Sequence, residues 1–195
     1  MSTGRFAYCL ITSVLAAGSA WPGGAVADDK AASAAQQDHR WSPNHHKDPG
    51  DFVKLVREAT SRFRDVSVAI SEGYVEQFGC VSGSDEGAMG VHFVNGALVG
   101  DPALDPARPE LLIYEAQPNG RMKLIGADYL VLADAWHATN QAPPELLGQL
   151  FHLFEAPNRF GLPSFYTLHV WAWKDNPHGT FVNWHPNVSC AHFDE

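Results

Sequence analysis

The chain has little cysteine, little positive charge and no unbroken apolar run of membrane-spanning length. It carries three cysteines in 195 residues and no CxxC pair, which excludes a thiol redox centre and the paired-cysteine metal signatures. Lysine and arginine number 13 against 22 acids, for a formal net charge of −9, and the bases do not cluster. Nucleic acid and anionic membrane surfaces are thereby excluded as expected partners. HExxH, a cupin-like HxH and a GxSxG elbow are also missing, so no local signature names a reaction. The glycine-rich "GSDEGAMG" carries acids that would repel a phosphate, and it reads as a connector.

The longest apolar stretch, Phe6 to Ala20, is interrupted by Ser13, Gly18 and Ser19. With Arg5 before it and Ala25-Val26-Ala27 after it, residues 1–27 have the three parts of a secretory signal peptide. The expected protein is therefore periplasmic or secreted, with no membrane attachment once the signal is cleaved. Residues 28–48, rich in Ala, Gln, Asp and His, read as a flexible arm, and residues 49–195 as one domain. In an oxidising compartment Cys80 and Cys190 are expected to pair with each other.

From Asp51 to Tyr74, residues Phe52, Val56, Ala59, Phe63, Val66, Ile70 and Tyr74 recur at steps of three and four, the stripe of an amphipathic helix. Short runs rich in aromatic and β-branched residues follow: "MGVHFV", "ELLIYEAQ", "RMKLIGADYLVLAD", "LFHLF" and "FYTLHVWAW". Asn119-Gly120 signals a two-residue hairpin, whose register would pair Leu111 with Asp128 and Tyr114 with Ile125. Residues 95–109 hold three prolines and read as a surface loop, and a helical turn is expected at "PPELLG". The expected fold is α+β: one N-terminal amphipathic helix packed on a mainly antiparallel β-sheet that could close toward a barrel.

Three of these strands carry a histidine among apolar neighbours: His92, His152 and His169. Alternation puts Thr167, His169, Trp171 and Trp173 on one face, and Tyr166, Leu168, Val170 and Ala172 on the other. A buried imidazole needs partners for its nitrogens, and three converging imidazoles satisfy that need by holding a metal ion such as zinc, copper or iron. Asp128 is the preferred carboxylate ligand, because Gly126 beside it opens space, with Glu115 as the alternative. Trp171 and Tyr129 are expected to shape the pocket. Two other readings use the same residues. One is a module that binds a small apolar ligand without metal, and the other is a structural protein whose histidines are satisfied singly. His178, His185 and His192, in the C-terminal coil, are expected to face solvent.

The segments "GAMGVHFVN", "PELLIYE", "GADYLVLADAW", "LHVWAWKDNPHGTF" and "HPNVSC" resemble those of a group of exported bacterial proteins without an assigned activity. The resemblance runs from the helix to Cys190. It implies export and a single domain, and it carries no reaction.

Overall fold

The structure is a computed structural model that describes residues 48–193. The expected signal peptide and nearly all of the expected arm lie outside the described residues.

Asp48 caps the first helix, its carboxylate accepting from the Gly50 amide, and Pro49 occupies the first turn of α1 (Pro49–Thr60). The helix does not continue to Tyr74. It tightens into a 3₁₀ turn at Ser61–Arg64, and the chain then turns extended at Asp65, whose carboxylate caps a second short helix, α2 (Val66–Ser71). Tyr74, the last residue of the expected stripe, instead opens the first strand, β1 (Tyr74–Ser82). Gly73 at φ 92° is the break between them. The apolar stripe still serves one purpose: Phe52, Val56 and Phe63 are buried against the sheet, joined by Ala69 from beside the stripe. Ile70, on the interrupted part, is exposed.

Six strands form an antiparallel sheet that curls into a half-barrel, giving an α+β architecture. They are β1, β2 (Ala88–Asn95), β3 (Leu111–Ala116), β4 (Met122–Leu132), β7 (His152–Phe154) and β8 (Phe165–Val170), in the order β1-β2-β3-β4-β8-β7. Residues 95–109 form a loop with one helical turn, α3 (Gly96–Val99). Another short helix, α4 (Ala133–His137), lies in "ADAWH" and not at "PPELLG". Residues 145–150 instead make a small hairpin, β5 (Glu145–Leu146) with β6 (Gln149–Leu150), turning through Leu147 and Gly148, both at positive φ.

The β3–β4 hairpin turns on three residues, not two. Gln117 pairs with Arg121 across Pro118-Asn119-Gly120, and Gly120 takes the left-handed position at φ 74°. Near the turn the register is therefore one residue short of expectation, with Tyr114 opposite Leu124. A bulge at Ile125 restores the missing residue, so Leu111 pairs with Asp128 as expected.

The two faces of the sheet are covered differently. Helices α1 and α2 cover the face carrying Val91, Phe93, Leu112, Tyr114, Tyr129 and Leu168. The other face is covered by the aromatic connection between β7 and β8 and by the C-terminal coil. Cys80 and Cys190 form a disulfide across a separation of 110 residues, fastening that coil to β1. His185 bridges to Ala88 and is fully buried, contrary to its expected exposure; His178 and His192 are exposed. Among the described residues no helix is long and apolar enough to cross a membrane.

Candidate metal centre

His92 sits in the middle of β2, Asp128 in β4 and His169 in β8. Asp128 and His169 are directly paired, and directly paired residues of antiparallel strands share a face. His92 pairs with Ile113 of β3, two residues from the Leu111 that pairs with Asp128, so it faces the same side. One ligand atom from each of the three lies within 4.8 Å of the others, and all three residues are buried, at 2–4% exposure.

The sheet's curl makes this meeting possible. From β2 to β8 is three strand steps, about 14 Å on a flat sheet at about 4.8 Å per step. The His92 and His169 rings are only 6.0 Å apart, centroid to centroid, and nearly perpendicular. Gly126 contributes to the curvature. A Cβ there would stand 2.8 Å from the Val170 carbonyl oxygen, so its bareness admits the neighbouring backbone and not, as expected, a ligand.

The polar atoms here are poorly satisfied. Among the described residues, both nitrogens of His169 and Nδ1 of His92 are buried without a hydrogen-bond partner. His169 Nδ1 lies 3.6 Å from Asp128 Oδ1, beyond hydrogen-bond length. Two ligands bound at about 2.1 Å and meeting near the tetrahedral angle stand about 3.4 Å apart, so that spacing suits a shared ion. Thr167, on the same face of β8, donates to Asp128 Oδ1 at 2.5 Å and fixes the carboxylate. Desolvation, with the neighbouring imidazole, pushes His92 down to about 4, and desolvation pushes His169 down to about 3. Both are neutral at physiological pH, the form that binds metals. Desolvation pushes Asp128 up to about 6, against the lowering effects of Thr167 and His92.

A cavity of about 20 Å³ adjoins the three donors, room for one water or one ion. Its remaining walls are mostly apolar, with Met89, Leu111, Leu130 and the aromatic group Phe78, Phe154, Phe160 and Phe165. Phe160 meets Phe78, Phe154 and Phe165 edge-on, and Phe154 stacks on Phe165 at 5.2 Å. This aromatic wall and Thr167 escaped the sequence reading. Alternation places Thr167 on the His169 face, but the wall joins Phe154, Phe160 and Phe165 of one stretch to Phe78, far away in the chain.

The other expected site residues lie elsewhere. His152 pairs with Thr167, so it is on the correct face, but β7 is an edge strand and leaves it exposed, outside the group of three. Tyr129 follows Asp128 directly and faces the opposite way. It packs on Phe52 and donates to the Pro106 carbonyl. Trp171 packs near His169 but does not line the cavity; it meets His185 edge-on and donates to the Val182 carbonyl. Trp173 is not on the His169 face, because β8 ends at Val170; its indole donates to Thr60 on the helix side. Glu115 is held by Lys174 at 2.7 and 2.8 Å. Compared with family models, curated proteins and solved structures, the chain finds no match.

Proposed function

We propose that the protein binds one divalent transition-metal ion through His92, Asp128 and His169, in an oxidising compartment outside the cytoplasm. The observation that carries this reading is the set of three orphaned imidazole nitrogens beside a buried carboxylate. Each buried polar atom without a partner costs about 1–3 kcal/mol, and an ion would satisfy one nitrogen of each imidazole at once. Two imidazoles and a carboxylate suit zinc, iron or copper. A carboxylate and two neutral imidazoles leave a divalent ion with one net positive charge and an open position toward the cavity, as in sites where metals do chemistry. Bound there, the ion would supply Lewis acidity to whatever fills that position. Thr167 would keep Asp128 in place, and the apolar walls would keep bulk water out. The signal-like residues 1–27 and the Cys80–Cys190 disulfide support export.

Metal analysis of the purified protein, repeated after incubation with zinc, cobalt, ferrous or cupric ion and gel filtration, tests the reading. One equivalent is expected in the wild type and none in folded Asp128→Ala or His169→Ala variants. A wild type that retains no metal under any of these conditions overturns it.

A further inference from the structure

The 20 Å³ cavity holds no molecule larger than a water, so a ligand that meets the metal position must come from next door. A groove of about 330 Å³ lies there, within the size range of small-molecule sites. It shares four walls with the cavity: Phe78, Leu111, Leu130 and Leu162. Val75, Val94, Val99 and Leu132 continue it, and among the described residues Gln77 is the one polar side chain in its lining. Such a lining favours an uncharged ligand, because a charged one would be stripped of water with no partner in return.

Phe78 is built unlike the rest of the wall. It stands at φ 71°, a conformation that strains a bulky residue, and Gly79 follows at φ 61°. The two lie in a bulge: Gln77 pairs with His92 and Cys80 with Val91, leaving Phe78 and Gly79 unpaired beside the metal strand. The disulfide at Cys80 anchors the far side of this bulge. Phe78 is also 40% exposed, so its ring can swing outward without opening the core.

We propose that this groove binds a small uncharged apolar molecule, and that Phe78 is the movable wall between it and the His92–Asp128–His169 cavity. The groove stands by itself, whereas the gate rests on the metal reading.

The neutral probe N-phenyl-1-naphthylamine, titrated into the purified protein and followed by fluorescence, tests the groove. Saturable one-to-one binding is expected, weakened at least about tenfold in Val75→Glu and Leu132→Glu, which place a charge on its wall, and retained in Asp128→Ala. No saturable binding, or equal binding by the charged variants, overturns it. Self-association that hides the groove, seen by sedimentation, also overturns it in favour of a protein interface. For the gate, cobalt entry is followed by its visible absorbance in stopped flow. Phe78→Ala should admit cobalt faster, and saturating probe should alter the cobalt spectrum of the wild type. An unchanged entry rate removes the gate and leaves the groove. If cobalt does not bind at all, the metal reading and the gate fall together, while the probe titration still decides the groove.

Discussion

Replacing His169 by leucine should stabilise the metal-free protein while abolishing the proposed metal binding. Both His169 nitrogens are buried without partners, each at about 1–3 kcal/mol, and leucine removes that penalty. The swap changes shape, which subtracts roughly 1 kcal/mol. A net gain of about 1–5 kcal/mol is expected, visible as a rise in melting temperature of about 2–4 °C per kcal/mol. The acid limb should change as well. His169 is held down to about 3 in the folded state against an ordinary 6.5. Unfolding therefore takes up a proton between those values, and the stability conferred by this group is lost as pH falls from 6.5 toward 3. Removing the imidazole flattens the wild-type dependence by up to about 1.4 kcal/mol per pH unit in that window. The assay is urea unfolding of chelator-treated protein between pH 4 and 7.5. With zinc at about 100 times its dissociation constant, the wild type alone should gain about 2.7 kcal/mol. A metal-free His169→Leu protein less stable than wild type, with an unchanged acid limb, would refute the reasoning, because the imidazole would then be a satisfied core residue.

Three further outcomes follow from the same geometry. Glu110 is buried and accepts from the Leu130 amide, and desolvation pushes its carboxyl up to about 8. Its contribution is full below pH 4.5 and is lost as pH rises toward 8, so Glu110→Gln should exceed wild type by a few kcal/mol above pH 8 and match it near pH 4.5, by urea unfolding. Reducing the Cys80–Cys190 disulfide should lower unfolding stability by about 5 kcal/mol for a loop of 110 residues, read from denaturation midpoints with and without dithiothreitol. Gly126→Ala should destabilise by about 1–3 kcal/mol and weaken cobalt binding, since the added Cβ pushes on the Val170 carbonyl beside the Asp128–His169 pair.

The fold was legible where local chemistry decides it. Five apolar runs became strands, although "LFHLF" keeps only three residues, and the pairing of Leu111 with Asp128 was legible because a longer turn and a bulge cancel. The helical period misled beyond Thr60, because Phe63, Val66 and Tyr74 keep the spacing of a helix while Asp65 and Gly73 break it. In the site, alternation identified the correct face for His92, Asp128 and His169. The same rule already argued against Tyr129, which is adjacent to Asp128 in the strand. It could not exclude His152, whose face is right; only the sheet order, a product of long-range pairing, makes β7 an edge.

Curvature is the element that no strand pattern encodes, and the candidate metal centre depends on it. β3 lies between the strands of His92 and Asp128, so on a flat sheet the two would be separated by a full row of side chains. The bulge at Ile125, the bare Gly126 and the close approach of Gly90 to the Tyr114 carbonyl each let the sheet bend within two residues of that row. Each could be read singly as a local irregularity. Together they bring two imidazoles three strands apart to 6.0 Å and leave their nitrogens facing one another without hydrogen-bond partners. A sheet bent only for packing would gain more from leucine at those positions, so the retained imidazoles are what point the curvature toward an ion.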